Sequence, residues 1–415
     1  MGGRISILRA SVILGPATVV SVAYIDPGNF GSNIAAGSKY GLNLLWVVWV
    51  AGLLAILFQY LSGKIGIATS RSTVDLVSSA IRERLSGPSR SATLALYFSS
   101  LIAVILATDM AEFLGIVLGL SFLLGLPIEI AIWISVVDVL ILMMITDRRL
   151  GFETLIGSLV GVVGISFLYE LAIVGIDPRE ILVSSVMPRE FGGEHTLLAI
   201  SIIGATVMPH ALILHPYLTA EKWGTARSNE KLKRHMLETI AYLSIASVMN
   251  AAIQIMAYYA FYRNGYHDVD MDIAHAILEP LYGSLSAMVF ATAMLASGIS
   301  SSMVSVLAGQ KVVESLVGKR LEAWRLRLMV RLANMIPLAI AIHAGVKPIE
   351  VLVYSQAVLS LALPVIIIPT TIYARRKSTM GSMVNSRVID IAAIVGAIVI
   401  VTFNLGFIVS SLLNL

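Results

Sequence analysis

Eleven apolar runs, most of them twenty or more residues long, divide this chain from one end to the other. A run of that length with few charges is enough to cross the roughly 30 Å hydrocarbon core of a bilayer as an α-helix, at about 20 residues per crossing. The runs fall near 11–36, 42–68, 92–124, 127–146, 154–175, 196–220, 237–263, 282–308, 326–344, 348–374 and 388–413. Their apolar residues are continuous rather than alternating, which specifies helices and not the strands of a barrel. Of the 415 residues, 57% are hydrophobic and only 13% charged, against about 25% charged in a soluble domain. The expectation is an all-α integral membrane protein with eleven transmembrane helices in a single domain spanning 1–415. The five-residue link LLGLP (residues 123–127) predicts a tight hairpin between the third and fourth spans. The first run is too long for a signal peptide and has no clear cleavage site, so it reads as a retained helix.

Charge placement supplies an orientation. Lys and Arg concentrate in cytoplasmic loops of membrane proteins. With Arg4 and Arg9 inside, the inside loops receive Lys64, Arg71, Arg82, Arg84 and Arg90, then Arg148 and Arg149. Lys222, Arg227, Lys231, Lys233 and Arg234 follow, then Lys311 through Arg331, and last Arg375, Arg376, Lys377 and Arg387. Outside loops hold only Lys39, Arg179, Arg189, Arg263 and Lys347. The expected arrangement is a multi-pass plasma-membrane protein with its N-terminus cytoplasmic and its C-terminus outside. Short tails and the absence of Asn-x-Ser/Thr sequons point to a prokaryotic membrane. The net charge of +4 belongs to this loop pattern and does not suggest a nucleic-acid partner. With no cysteine, disulfides, thiolate metal sites and cysteine nucleophiles are excluded. No HExxH or G-x-S-x-G motif occurs either, which argues against an intramembrane enzyme.

Two of the spans are interrupted. The stretch AYIDPGNFGSN, residues 23–33, places Asp26 as the sole ionisable side chain between Ser11 and Gly37. A carboxylate at that depth costs on the order of 2.5 kcal/mol or more unless it is neutralised. The adjacent Pro-Gly breaks the helix and leaves carbonyls unpaired. The sixth span, residues 197–220, carries Met208-Pro209-His210 at its middle, and carbonyls of residues 205–208 are expected to be freed there. Interrupted segments in corresponding places of two halves point to a secondary-transporter site of the LeuT type, with inverted repeats. Spans one to five (about 11–175) then pair with six to ten (about 196–374), and the eleventh (about 388–413) is an addition. The groups at the breaks are a carboxylate (Asp26), an amide oxygen (Asn29), a thioether (Met208) and unwound carbonyls. Mg²⁺ and Ca²⁺ prefer all-oxygen shells, whereas a thioether favours Mn²⁺, Fe²⁺ or other transition metals.

DPGN in the first span and MPH in the sixth, with a second histidine at His215, resemble the signature of the NRAMP family of proton-coupled divalent metal transporters. ATDMAEFLG in the third span, NAA from Asn250 in the seventh, YSQAVLSLALP in the tenth and the arginines before MIP in the ninth extend the likeness over the whole chain. The resemblance implies a LeuT-like 5+5 fold with broken helices 1 and 6, and import of Mn²⁺ and Fe²⁺ with protons as cargo, with no resident cofactor. It implies Asp26, Asn29 and Met208 as side-chain ligands, the carbonyls of Ala23 and Ala205, and Gln356 in some conformations, with Asn250 and Thr206 behind them. It further implies a proton route through His210, Asp109 and Glu112, with Arg327, Arg331 and His215 as further members. Separately, the protein is expected to act as a monomer. Two positions depart from the pattern. Leu326 stands where relatives often carry the first of two adjacent arginines, and Ala362 where a second tenth-span glutamine is expected.

Read without the resemblance, several of these residues admit plainer roles. Met208 would serve as core filler, Asn250 and Gln356 as helix–helix hydrogen-bonding groups, and Asp109 with Glu112 as a static pair for arginine. Asp109 and Glu112 are three apart and share a helix face, and such carboxylates face a cavity or cationic partners rather than lipid. His210 alone near the breaks has an unperturbed pKa, about 6.5, in the physiological range. His215 fits a packed structural histidine equally well, and Asp138 in the fourth span has no evident partner. His195 and the run His267, Asp268, Asp270, Asp272 and His275 read as solvated outer loops. Lys311 to Arg327 reads as a surface linker helix. The competing cargo readings are Mg²⁺, or an organic substrate, on the same fold without proton coupling.

Overall fold

The computed structural model describes residues 15–136, 165–166, 169, 171–187, 195–224, 228–318 and 322–413, and every regular element among them is helical. The chain begins with α1 (Pro16–Ser21), a 3₁₀ turn over Val22–Ile25, and α2 (Pro27–Tyr40). Then come α3 (Leu45–Thr69), α4 (Thr73–Arg84), α5 (Gly87–Leu124), α6 (Ile128–Ile134) and α7 (Pro178–Val186). The second half runs α8 (His195–Val207), α9 (Pro209–Trp223), α10 (Asn229–Ala260), α11 (Met271–Tyr282) and α12 (Ser284–Val317). It closes with α13 (Ala323–His343), α14 (Pro348–Ala362), α15 (Pro364–Ala374) and α16 (Arg387–Leu413).

Counting α8–α9 and α14–α15 as one each, eight helical segments among the described residues are long and apolar enough to span a membrane. The interrupted α1–α2 matches the first predicted span. Of the fourth predicted span only α6 is described. The rest of it, about two thirds of the fifth, and Arg4, Arg9, Asp138, Arg148, Arg149, Arg189 and Arg227 lie outside the described residues. The count of eleven therefore rests on the sequence pattern.

The helices overrun the apolar windows at several ends. α5 has 38 residues, about 57 Å at 1.5 Å per residue, so it projects well past a bilayer core. Two expectations for the loops are corrected. The acidic run from His267 is solvated only in part: His267, Asp268 and Asp272 are exposed, but Asp270 is 6% exposed and caps α11. Its Oδ1 accepts from the Met271 N–H at 2.7 Å and from the Ile349 N–H at 3.0 Å, because a buried helix start needs its free N–H groups satisfied. His275, one turn on, stacks on Phe122 at 4.4 Å. The segment from Lys311 to Arg327 is not one linker helix either. α12 stops at Gly318, which has φ +71°, and Arg327 lies inside α13 and is 1% exposed.

Packing around the two breaks is close. α14 lies against α2 and α8, and small residues allow it. A Cβ on Gly204 would stand 2.0 Å from the Gln356 carbonyl oxygen, and one on Gly28 would stand 2.0 Å from the Gln356 amide nitrogen. Neither position tolerates a side chain without moving α14 or displacing Gln356.

Candidate metal-ion site

The DPGN motif is a helix restart. After the 3₁₀ turn the backbone goes extended at Asp26 (φ −94°, ψ 166°), and Pro27 takes the first helical position, where its missing N–H costs nothing and its fixed φ is already helical. Asp26 is the N-cap: Oδ1 accepts from the Asn29 N–H at 2.8 Å, as a capping carboxylate does. Cap formation uses one oxygen only. Oδ2 is fully buried and meets no donor among the described residues. The MPH motif restarts α9 in the same way, with Pro209 first and Met208 ahead of it at φ +50°, ψ 92°. A non-glycine residue held at positive φ carries strain of order 1–3 kcal/mol, and such strain collects at functional sites.

The two breaks meet through Asn29. Its side-chain NH₂ donates to Asp26 Oδ1 at 2.8 Å, to the Ala205 carbonyl at 2.9 Å and to the Tyr24 carbonyl at 3.3 Å. Three oxygens from both broken helices thus converge on one point, and a donor nitrogen occupies it. Thr206 donates to Asn29 Oδ1 at 3.3 Å. Asn250 donates to the Tyr24 carbonyl at 3.0 Å, and Ser297 to the Ile25 carbonyl at 2.7 Å. Ala23 lies in the 3₁₀ turn just before these carbonyls. Gln356 donates to Ser355 Oγ at 3.3 Å, and its Oε1, like Asn250 Oδ1, is buried without a donor. Asp26, Asn29, Ala23, Ala205, Thr206, Met208, Asn250 and Gln356 are all 0% exposed.

The surplus of buried acceptors decides the electrostatics. A buried acceptor with no donor costs about 1–3 kcal/mol, more when charged, and native structures leave few of them. Asp26 Oδ2, Asn250 Oδ1 and Gln356 Oε1 all want positive charge, and a cation would satisfy them. Among the described residues no group of three or more His, Asp or Glu side chains is placed to hold a metal ion. The donor set here is one carboxylate, amides, carbonyls and a thioether, which suits an ion held and released rather than one kept.

A second buried network stands beside it. Arg327 Nη1 donates to Asp109 Oδ1 and lies 3.7 Å from Glu112 Oε2. Arg331 Nη2 is 3.7 Å from Asp109, with its guanidinium 4.2 Å over the Phe113 ring. Asn334 donates to Asp109 Oδ2 at 2.8 Å. Ser301 and Ser305, one turn apart on α12, donate to the two Glu112 oxygens at 2.8 and 2.5 Å. Arg327 and Arg331 thus lie on one face of α13, four apart. Leu326, at the departure from the adjacent-arginine pattern, is buried at 7% exposure.

His210 links this network to the breaks. It sits two residues after Met208, and Nδ1 lies 3.2 Å from Thr108 Oγ1, next to Asp109. The Thr108 hydroxyl donates to the Val104 carbonyl at 2.8 Å, an arrangement that fits a His210 proton on Nδ1, and the buried Nε2 meets no partner among the described residues. His215 is not brought to this network. Its Nδ1 lies 2.6 Å from Gln59 Oε1 and its ring 4.9 Å from that of His235, between α3, α9 and α10. Sequence reasoning missed the carbonyls of Tyr24 and Ile25 and the serines of α12. The serines carried a signal: Ser297, Ser301 and Ser305 repeat every four residues on one helix face.

Comparison with known proteins bears on the fold and the family. Residues 17–410 match the model of the Nramp family, described as natural resistance-associated macrophage protein-like. The divalent metal cation transporter MntH of Acidiphilium cryptum is 40% identical over 411 residues, covering 97% of this chain and 92% of that protein. The structure of the Eremococcus coleocola manganese transporter, in complex with an aromatic bis-isothiourea compound, superposes with a TM-score of 0.81 at 27% identity. That superposition covers 94% of this chain and 85% of the other. Mhp1, a nucleobase-cation-symport-1 family transporter, shares the fold alone, with a TM-score of 0.61 at 15% identity over 95% of this chain and 89% of that one. The two interrupted helices, their shared buried site and a match that runs nearly end to end place this chain in the Nramp family.

Proposed function

We propose that this chain is a secondary transporter, not an enzyme, that imports divalent transition-metal ions, Mn²⁺ and Fe²⁺, together with protons by alternating access. The observation that carries the reading is the convergence of Asp26 Oδ1 and the Ala205 and Tyr24 carbonyls on a single buried point between two helix breaks. Family membership and the manganese transporter among the similar structures support it.

Asp26 supplies the one formal charge, so a bound divalent ion stays net cationic and releasable. Asn29 becomes a ligand by turning its amide half a revolution, which exchanges NH₂ for Oδ1 at the convergence point. Met208 adds a soft donor that Mg²⁺ and Ca²⁺ do not use, and the carbonyls of Ala205 and Ala23 and Gln356 Oε1 fill the remaining positions. Asn250 and Thr206 hold the backbone and the Asn29 amide in place. Every one of these residues is sealed from solvent, so loading and release require one end of the bundle to open at a time. Rocking of the repeat of spans one to five against that of six to ten supplies the two openings. The proton leaves the neighbourhood of Asp26 through His210 to Glu112 and Asp109, with Arg327 and Arg331 at the inner end. An inside-negative potential drives inward movement at about 2.3 kcal/mol per charge per 100 mV.

The test is Mn²⁺ uptake into proteoliposomes at several external pH values with excess Mg²⁺ as competitor. Uptake that acidifies the lumen and ignores Mg²⁺ is expected. Uptake blocked by Mg²⁺ with no proton movement overturns both cargo and coupling.

A further inference from the structure

A groove of about 170 Å³ opens between α4 and α15 at the end of the bundle where basic residues gather, lined by Val77, Ala80, Arg84, Pro369, Tyr373 and Arg376 among others. Its place in the fold bears on its occupant. α15 is the last stretch of the membrane-spanning segment Pro348–Ala374, and Arg376 follows it by two residues, which is headgroup depth. α4 lies between the end of one spanning helix at Thr69 and the start of the next at Gly87, and Arg84 is its final residue. The floor is apolar, and Ile372 beside it is 42% exposed on a helix that crosses the membrane.

Neither rim arginine is held by a carboxylate among the described residues. Neighbouring basic residues are engaged: Arg375 Nε is 3.4 Å from Asp390, and Arg71 donates to the Asp75 carbonyl at 3.0 Å. Arg84 and Arg376 have no carboxylate partner among the described residues, and Arg376 instead lies 5.2 Å over the Tyr373 ring. The walls of the groove are pinned. Tyr373 donates to the Leu76 carbonyl at 3.1 Å, and Thr73 and Thr370 hydroxyls meet at 3.1 Å. A rigid apolar slot with two guanidinium groups at its mouth, opening at the membrane surface, matches an acyl-bearing anion. Guanidinium groups recognise phosphate by paired hydrogen bonds, and basic pockets between helices on the cytoplasmic side take anionic headgroups.

We propose that this groove binds one anionic phospholipid, its phosphate between Arg84 and Arg376 and its upper acyl chain along Ile372. The lipid spans α4 and α15, so it clamps α4 to the end of the tenth span. This site is separate from the metal site and stands or falls independently of the cargo.

The experiment is native mass spectrometry of the purified full chain in detergent, titrated with dioleoyl phosphatidylglycerol or dioleoyl phosphatidylcholine. The wild type is expected to retain phosphatidylglycerol in preference. Arg84→Gln with Arg376→Gln should lower that retention about thirtyfold, the increment of two surface cationic contacts. Arg82→Gln, an exposed neighbour outside the groove, should leave it unchanged. Ala80→Trp, which fills the floor with both arginines in place, should lower it as well. Equal retention of the two lipids by the wild type, or undiminished phosphatidylglycerol binding in the double variant, overturns the proposal. Displacement of the lipid by millimolar inorganic phosphate would assign the arginines to a free anion and overturn it too.

Discussion

At the scale of single residues, Asp26 combines two tasks on its two oxygens. Oδ1 caps α2 and receives the Asn29 amide, and Oδ2 has no donor. Asp26→Ala removes the proposed ligand charge and also a cap worth about 1 kcal/mol, so a loss of transport alone is ambiguous. Asp26→Asn keeps a capping oxygen. Both variants are expected to bring Mn²⁺ uptake to background in proteoliposomes, while Asp26→Asn unfolds at the wild-type temperature. Robust uptake by either removes the central role of this carboxylate. Met208 is held at φ +50° and 0% exposed, an arrangement that core filling alone does not require. Met208→Ala is expected to reduce discrimination of Mn²⁺ against Ca²⁺ by about tenfold, equivalent to ~1.4 kcal/mol. Competition uptake with Ca²⁺ reads this directly, and unchanged selectivity shows that the thioether only packs.

At the scale of elements, the broken helices are held by neighbours that approach to contact distance. A Cβ at Gly204 would lie 2.0 Å from a backbone oxygen of α14, and a backbone atom cannot swing aside as a flexible side chain can. Gly204→Ala is expected to cost about 1–3 kcal/mol by overpacking, seen as a lower unfolding temperature in detergent, and to depress uptake because α8 carries Ala205. On the basic side, α4 works as a bracket. Asp75 completes a capping box with Ser72, and its Oδ1 also accepts from Tyr217 of α9 at 3.1 Å and from Ser315 of α12 at 2.7 Å. One carboxylate therefore ties the second broken helix to α12 at this end. Tyr217→Phe deletes one of these ties, and a loss of about 1 kcal/mol is expected in thermal unfolding. Since the inner end must open during the proposed cycle, the same variant should speed modification of a cysteine introduced on the inner half of α9.

At the scale of the whole molecule, the lack of any cysteine makes the orientation directly testable. Glu83→Cys at the end of α4 and Asp272→Cys at the start of α11 both alter exposed positions. An impermeant maleimide added to intact cells is expected to label Asp272→Cys only, and Glu83→Cys should react after the membrane is opened. The reverse pattern would invert the loop-charge orientation and with it the leaflet of the proposed lipid groove. Asp26 is 0% exposed, whereas Glu83 and Asp272 both lie at the surface, so the labelling reads orientation and not the buried site.

The spans, the two breaks and the polar groups at each break are local properties, and the sequence determined them by itself. Apolar length decides whether a helix can cross a membrane, and Pro27 and Pro209 interrupt their helices wherever those helices lie. Asp109 and Glu112 share a face by spacing alone. Partnership was decided only in three dimensions. Nothing in the chain order says that Asn29 reaches the Ala205 carbonyl 176 residues away or that Ser301 and Ser305 clasp Glu112. His215 shows the same limit from the other side. It lies five residues from His210, yet its hydrogen bond goes to Gln59 on another helix, away from the acidic pair. Helical spacing assigns a side chain to a face, but what that face meets depends on how the helices pack.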